Sequence, residues 1–316
     1  MDNDVATKGL VVRTTGSWYR VLAADGGECD CRLRGNFRLH GNKQTNPIAV
    51  GDVVEYQSAG DGTGVIVAVE ERRNCIIRRS TKLSKQTHVI AANIDQLCLV
   101  ATLGFPRTST GFIDRLLATA EAYHIPAFIV FNKCDMYDDE LWAVYNETEE
   151  IYRAAGYAVY PVSALEGDGI VALRALVTGK TTLFCGHSGV GKSALLNAVD
   201  PSLSLRVGEV SQWSMKGKHT TTFAEIVPFH IDSDGKRSFL IDTPGIKEFG
   251  LVGITKEELS HFFPEMKTLL HDCRFANCTH THEPGCAVVK AVDEGRLSPI
   301  RYQNYVNILT SMENGS

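Results

Sequence analysis

The chain has 316 residues, of which 44% are hydrophobic, enough for two or three domains with buried cores. Its net charge is -5 at pH 7, so the chain as a whole is not a basic nucleic-acid-binding protein. Any nucleic-acid-binding surface must be a local basic patch. The start "MDNDVATKGL" lacks the apolar core of a signal peptide, and no apolar run approaches the roughly 18 residues of a membrane span. We therefore expect a cytoplasmic protein with no membrane partner, whose nine cysteines are thiols or metal ligands.

Residues 1–75 contain short β-rich runs separated by Gly, Asp and Asn turns at hairpin spacing. The runs are "GLVVRTTGSWYRVLAA", "ECDCRLRG", "DVVEYQ" and "GTGVIVAVEE". This pattern predicts a small closed β-barrel. An OB-fold, which binds oligonucleotides, and an SH3-like barrel both fit it, as does a packing module without a ligand.

A basic run, "RRNCIIRRSTKLSKQTH", follows the barrel. It contains no acid and six cations: Arg72, Arg73, Arg78, Arg79, Lys82 and Lys85. Such a run is typical of a solvated face. Because a candidate nucleic-acid-binding barrel lies beside it, contact with phosphates is an equal alternative.

From about residue 93 the chain alternates apolar strands with helical segments, which predicts a mostly parallel α/β sheet. The strands are "QLCLVATL", "AFIVFN", "YAVYPVS", "TTLFCG" and "SFLIDT". A turn signal, "DSDG" at 232–235, adds an antiparallel hairpin. We divide the chain into a barrel at 1–75, an α/β domain at 76–250 and a small helical domain at 251–316.

The stretch "GHSGVGKS" at residues 186–193 lies between a predicted strand and a helix, which indicates a phosphate-binding loop. Gly186, Gly189 and Gly191 allow a tight turn whose amides point at phosphate oxygens. Lys192 reaches the β and γ phosphates, and Ser193 offers its hydroxyl to Mg²⁺. The nucleotide site also includes the other loop residues, His187, Ser188 and Val190.

A second motif, "NKCD", precedes this loop and comprises Asn132, Lys133, Cys134 and Asp135. The Asp135 carboxylate can accept hydrogen bonds from guanine N1 and N2, donors that adenine lacks. Asn132 can donate to the purine edge and the Lys133 stem can lie along the ring. Four residues alone also fit a strand end before an N-capped helix. After the next strand, Ser163 and Ala164 are suited to place a backbone N–H against the guanine oxygen.

Downstream, "LIDTPGI" ends a strand with Asp242, which can hold Mg²⁺ through water, and Gly245, whose N–H can meet the γ-phosphate. Between the loops, "GKHTTT" at 217–222 supplies Thr221 to close over Mg²⁺. All five guanine-nucleotide elements are thus present, with the base-reading pair first. This order predicts a circularly permuted GTPase, in which residues 178–180 join the positions of the N- and C-termini of an unpermuted GTPase domain.

The stretch "CRFANCTHTHEPGC" concentrates five metal-ligating side chains: Cys273, Cys278, His280, His282 and Cys286. Three thiolates and one imidazole satisfy tetrahedral Zn²⁺, so we expect one structural zinc ion with either histidine as the fourth ligand. The other six cysteines lack such grouping and are expected to be ordinary small residues.

The chain resembles the small ribosomal subunit biogenesis GTPase RsgA family, also called YjeQ or YloQ. The features that carry the resemblance are the order of the nucleotide motifs, the barrel stretches "CRLRGNFR" and "VGDVVEY", and the Cys/His cluster. The resemblance covers essentially the whole chain. It implies an OB-fold barrel that contacts ribosomal RNA and GTP hydrolysis to GDP that is stimulated by the small (30S) subunit during late maturation. The family's Cys-x4-Cys-x-His-x5-Cys spacing selects His280 as the zinc ligand.

Ile246 follows "DTPG", where many GTPases place the glutamine that orients the attacking water. His219 is the available substitute, and the resembling family has a histidine in this loop. An exposed switch histidine without chemistry is the alternative. We predict that His219, Lys192 and Thr221 are the catalytic residues. We also expect the protein to be a monomer. Two other functions fit: a GTP-gated regulator with a non-ribosomal partner, and an RNA-binding module with a structural nucleotide.

Overall fold

The computed structural model describes most of the chain as two compact units. The described residues are 6–34, 47–79, 87–203, 205, 225–231, 237–242, 251 and 253–313. The first unit draws on residues 1–96, 177–184 and 209–248, and the second on 97–176, 185–208 and 249–316. No helix within these described ranges is long and apolar enough to span a membrane.

Five strands form a closed barrel at the start of the first unit. They are β1 (Thr7–Thr15), β2 (Trp18–Ala23), β3 (Glu28–Leu33), β4 (Val53–Ser58) and β5 (Thr63–Val69). Their order is β1-β2-β3-β5-β4, and β4 pairs back onto β1. Only the β3–β5 pair is parallel among these five strands. The barrel is therefore OB-like, and the OB-fold prediction is confirmed.

The barrel core consists of residues that alternate along the strands, as the period of two requires. Val11, Val21, Cys31, Val54 and Ile66 are all fully buried there. Cys29 and Cys31 are two residues apart on β3 and both point inward, so they are small core residues.

Part of the basic run is structured. The strands β6 (Cys75–Arg79) and β7 (Thr87–Ala92) form an antiparallel hairpin. Before it, Arg72 makes two hydrogen bonds to the buried carboxylate of Asp52, at 2.7 and 2.8 Å, and Arg73 pairs with Asp95 at 2.8 Å. Arg72 therefore belongs to a largely buried ion pair, whereas Arg73 pairs with Asp95 at the surface. The side chains of the other four lie outside the described residues.

Three further strands lie wholly or mostly in the first unit: β11 (Thr181–Cys185), β12 (Glu225–Ile231) and β13 (Arg237–Asp242). β12 and β13 are antiparallel, as "DSDG" predicts, and β11 is parallel to β13. β12 also pairs with β1 at Arg13–Glu225. That pairing extends the barrel into these strands.

The second unit contains three parallel strands in the order β10-β9-β8 and four helices of the α/β domain. The strands are β8 (Gln96–Ala101), β9 (Ala127–Asn132) and β10 (Ala158–Val162). The helices are α1 (Thr110–Ala122), α2 (Asp139–Ala154), α3 (Ile170–Val177) and α4 (Lys192–Val199). The Ser109 and Asp138 side chains cap α1 and α2 by accepting main-chain hydrogen bonds.

The C-terminal block is helical, as predicted, although its Cys/His stretch consists of short turns. Its helices are α5 (Pro264–Lys267), α6 (Ala287–Asp293) and α7 (Pro299–Glu313). Phe263, Met266, Val288 and Tyr305 form its core, which also includes Ala118 of α1. The block therefore packs directly on a helix of the α/β domain.

A buried ion network ties α7 to α1. The guanidinium of Arg301 is 2% exposed and donates to Asp114 at 2.5 Å and to Glu265 at 2.7 Å. Asn304 donates to the second oxygen of Asp114 at 2.6 Å. Burial raises the pKa of Asp114, whereas Arg301 lowers it and so opposes that shift. The carboxylate therefore depends on its partners to remain charged inside the protein.

We expect Arg301→Leu to lower the free energy of unfolding by about 3–5 kcal/mol, because Asp114 would remain buried without its cation. Urea unfolding followed by circular dichroism measures the loss. Arg296→Leu is the matched control, since Arg296 pairs with Glu294 on the surface and should cause no measurable change. Equal losses in the two variants would contradict a specific role for the buried network.

Candidate nucleotide-binding site and metal centre

The "NKCD" motif lies at the carboxyl end of β9, where open α/β sheets bind ligands. Asn132 is the last strand residue and is 1% exposed. Lys133 then adopts a left-handed conformation (φ 68°) that turns the chain into a short 3₁₀ turn, Cys134–Met136. This turn buries Cys134 and leaves Asp135 exposed to a ligand.

The amide of Asn132 joins three loops. Its Nδ2 donates to the carbonyl of Val190 at 2.8 Å, and its Oδ1 accepts from the backbone N–H of Ala164 at 3.2 Å. The sequence-based expectation assigned this side chain to the purine edge. In the structure it connects the base-reading loop to the phosphate-binding loop and to the loop after β10. Its contact with the purine edge stays a prediction.

Asp135 is oriented by Ser163. The buried Ser163 hydroxyl donates to Asp135 Oδ1 at 2.6 Å and accepts from the backbone N–H of Glu166 at 2.9 Å. The sequence indicated only a backbone role for Ser163. Its side chain additionally fixes the carboxylate that we expect to select the base.

Lys133 reaches across the phosphate-binding loop. Its Nζ donates to the carbonyls of Phe105 at 2.8 Å and Gly189 at 2.9 Å. The β8–α1 loop thus contributes Phe105, which no sequence motif predicts. These contacts hold the lysine stem between the two loops.

The phosphate-binding loop requires glycine at two positions, because neighbouring atoms lie too close to its backbone to leave room for a side chain. A Cβ on Gly186 would lie 2.2 Å from the Val100 carbonyl, and one on Gly191 (φ 92°) would lie 2.4 Å from Asn132 Nδ2. Gly191 is the residue before α4, so the free amides of that helix open into the loop. The sequence pattern therefore folds as a phosphate-binding loop should.

Lys192 lies across this loop at the first position of α4. Its Nζ donates to the carbonyls of Gly186 at 2.7 Å and His187 at 2.8 Å. Next to it, Ser193 is buried. The ammonium group therefore already lies at the loop where phosphate oxygens would bind.

His187 stacks on Phe112 of α1, with ring centroids 3.7 Å apart and an interplanar angle of 28°. This contact fixes the outer part of the loop on a helix. Phe112 is a second supporting residue that no motif predicts. Ser188 is exposed and Val190 is fully buried, so only the latter packs in the core.

The remaining predicted nucleotide residues are less fully described. Asp242 ends β13, and its side chain lies outside the described residues. Thr221, His219 and Gly245 lie outside them entirely. The magnesium ligand Thr221 and the catalytic role of His219 therefore stay predictions.

The Cys/His stretch folds into a four-ligand cluster of Cys273, Cys278, His280 and Cys286, whose ligand atoms all lie within 4.8 Å of one another. His280 Nδ1 is 3.5 Å from Cys273 Sγ and 3.4 Å from Cys286 Sγ. Tetrahedral Zn–S and Zn–N bonds place such atoms about 3.6 Å apart, so the cluster fits zinc. His282 is exposed and contacts Thr281 instead.

A clamp of hydrogen bonds shapes the turn that carries His280. Glu283 accepts from the Thr279 hydroxyl at 2.6 Å and from its backbone N–H at 2.7 Å. Although burial opposes it, these bonds hold the pKa of Glu283 well below its usual range. Tyr302 donates to the His280 carbonyl at 2.8 Å. Burial lowers the pKa of His280, which favours the neutral imidazole that ligates metals.

Comparisons with known proteins agree with this geometry. A family model described as RsgA GTPase matches residues 69–252, and one described as RsgA N-terminal domain matches residues 8–66. The chain is 49% identical over 308 residues to the small ribosomal subunit biogenesis GTPase RsgA 2 of Bacteroides thetaiotaomicron, covering 98% of each chain. It is 48% identical over 303 residues to the corresponding RsgA of Porphyromonas gingivalis, covering 95% of this chain and 96% of that one.

Two solved structures are similar over nearly the full length. YjeQ from Thermotoga maritima has a TM-score of 0.80 at 36% identity, with 97% of this chain and 98% of that chain covered. YloQ, described as a circularly permuted GTPase, has a TM-score of 0.76 at 29% identity, with 99% and 97% covered. These likenesses extend over the barrel, the α/β domain and the C-terminal block.

We expect Gly191→Ala to weaken GDP binding at least about tenfold, since a left-handed alanine is strained and its Cβ would displace the Asn132 amide. Fluorescence titration with a labelled GDP measures the affinity. Gly104→Ala is the control, because a Cβ there meets no atom within 4 Å. If Gly191→Ala bound GDP as tightly as the wild type, the loop would not need this close approach.

Proposed function

Because the chain belongs to the RsgA GTPase family, we propose that it hydrolyses GTP to GDP and assists late maturation of the small ribosomal subunit. The observation that supports a single guanine-nucleotide site is the Asn132 amide, which joins the base-reading and phosphate-binding loops. The relatives at 48–49% identity are named for small ribosomal subunit biogenesis, which supports the same partner here. This work would take place in the cytoplasm.

We propose that Asp135 selects the base. Ser163 holds one carboxylate oxygen at 2.6 Å, so the carboxylate is already oriented when the base arrives. Guanine presents N1–H and N2–H₂ as donors to this carboxylate, whereas adenine lacks both of them. The exposed position of Asp135 gives the base access to it.

The phosphates would bind the loop of residues 186–193. Lys192 would exchange its two carbonyl contacts for β and γ phosphate oxygens, which form stronger, charge-assisted hydrogen bonds. The main-chain amides at the start of α4 would face the same oxygens. Ser193 and Thr221 would hold Mg²⁺, with Asp242 acting through water. Mg²⁺ neutralises charge on the β and γ phosphates.

His219 is the proposed group for orienting the attacking water, since Ile246 cannot do so. The intrinsic rate should then be low unless a partner completes the site. We infer that the small ribosomal subunit is that partner. GTP would favour binding to the subunit, and hydrolysis would favour release.

We also propose that Cys273, Cys278, His280 and Cys286 hold one structural Zn²⁺. Four protein ligands fill a tetrahedral site, so no position remains for a substrate. The ion would fix the turns of residues 273–286, which contain few helical hydrogen bonds of their own.

We expect purified small ribosomal subunits to raise phosphate release from GTP at least about tenfold, because a partner that completes a GTPase site acts on the chemical step. ATP and Lys192→Ala are the controls and should show no stimulation. His219→Ala should keep its affinity for GDP while losing the stimulated rate. If small subunits left a slow rate of GTP hydrolysis unchanged, the result would instead favour a GTP-gated regulator with a non-ribosomal partner.

We expect one equivalent of zinc per chain after dialysis, measured by elemental analysis. Cys278→Ser should lose the zinc and lower the unfolding temperature, because a thiolate ligand is removed. The matched control is Cys75→Ser, a half-buried cysteine outside the cluster, which should retain the ion. Pure wild-type protein that binds GDP but contains no zinc would contradict the assignment.

A further inference from the structure

A continuous series of contacts connects the phosphate-binding loop with the Cys/His cluster through two helices of the second unit. It begins at the stack of His187 on Phe112 of α1, whose ring centroids are 3.7 Å apart. Two residues further along α1, Asp114 accepts hydrogen bonds from Arg301 at 2.5 Å and from Asn304 at 2.6 Å, both on α7. We call α1 and α7 the connecting helices.

The two contacts of α1 lie on opposite sides of the helix. Residues two positions apart on an α-helix differ by about 200° around its axis, so Phe112 and Asp114 point in nearly opposite directions. The helix is therefore held between the phosphate-binding loop and α7. Asp114 is fully buried and Arg301 is 2% exposed, so the attachment to α7 is shielded from water and leaves α1 little freedom to move alone.

The helix α7 continues the series to the metal cluster. The Tyr302 hydroxyl donates to the carbonyl of His280 at 2.8 Å, and the Tyr305 hydroxyl donates to the carbonyl of Thr279 at 2.8 Å. His280 is one of the four cluster residues, and Thr279 precedes it in the same turn. The two hydroxyls therefore attach a metal-ligating turn to the helix that binds Asp114.

Nucleotide binding would act on the first contact of this series. The carbonyl of His187 accepts from Lys192 Nζ at 2.8 Å. The phosphate binding proposed above would move that ammonium group to phosphate oxygens, which the amides of the loop would bind as well. Both changes alter the backbone contacts of His187, the residue that stacks on α1. A bound nucleotide would thus restrict the loop, and the restricted loop would restrict the helix that packs on it.

We propose that the nucleotide site and the zinc site are energetically coupled through the connecting helices, so that bound GDP raises the affinity of the chain for zinc. Ordering at one site reduces the conformational entropy that is lost when the other ligand binds, which makes the two ligands cooperative. Thermodynamic linkage then requires zinc to raise the affinity for GDP by the same factor. This inference goes beyond the proposed function and rests on it for the binding of each ligand.

The test is the zinc affinity of the full chain, measured by competition with a colorimetric zinc chelator in the presence and absence of saturating GDP. We expect GDP to raise this affinity at least about fivefold, whereas ADP at the same concentration should leave it unchanged. The affinity for GDP, measured by fluorescence titration with and without zinc, should change by the same factor as the affinity for zinc.

Variants locate the coupling. Phe112→Ala removes the stack on His187 and should reduce the effect of GDP on zinc affinity to less than about twofold, even at GDP concentrations that saturate the variant. Tyr302→Phe removes the hydrogen bond to the zinc-ligating turn and should also reduce the effect. Phe112→Tyr keeps an aromatic ring and should retain most of it. Val171→Ala is the control, because Val171 of α3 is 80% exposed and lies outside the connecting helices.

Two results would overturn the coupling: equal zinc affinity with and without bound GDP, or an undiminished effect of GDP in Phe112→Ala. Circular dichroism shows whether each variant is folded, and Tyr302→Phe, which loses a single hydroxyl, tests the proposal even if Phe112→Ala unfolds. The proposed function fails in a different way. A chain that binds GDP and zinc independently contradicts only the coupling, whereas a chain that fails to bind one of them contradicts the proposed function as well.

Discussion

The nucleotide site depends on one buried side chain, the amide of Asn132. It binds the carbonyl of Val190 through its N–H and the backbone N–H of Ala164 through its oxygen. An unpaired amide at 1% exposure would be costly, so the three loops must meet for the side chain to be buried. Gly191 is glycine because this amide lies against its backbone. The contacts of this one side chain therefore fix the base-reading loop and the phosphate-binding loop relative to each other.

That constraint explains why the order of the motifs is of little consequence. The three loops are held together through space, by contacts between residues 132, 164 and 190. Chain order enters only through the connections between strands, and a junction such as 178–180 lies in a short turn between α3 and β11. A site defined by such contacts survives a change of chain ends. The helix α1 reinforces it, since Phe112 stacks on the phosphate loop and Asp114 binds Arg301 of α7.

Much of this architecture could be predicted from the sequence, because strand periodicity, glycine spacing and clustered ligands are local signals. The barrel, the parallel strands, the phosphate loop and the Cys/His cluster all carry such signals. The Ser163 hydroxyl, the Phe105 carbonyl and the Arg72–Asp52 ion pair do not, since each depends on residues that meet only in the folded chain. The hairpin β6–β7 is not predicted for another reason: its many cations are typical of a solvated face.

The central claim is that a permuted chain forms one guanine-nucleotide site. A crystal structure of the GDP complex tests it most directly. The account predicts guanine N1 and N2 within hydrogen-bond distance of Asp135, and the β-phosphate surrounded by the amides of residues 186–193 in the same molecule. It also predicts that Asn132 keeps its bond to Val190. GDP bound with its base away from Asp135, or with its phosphates outside this loop, would contradict the account.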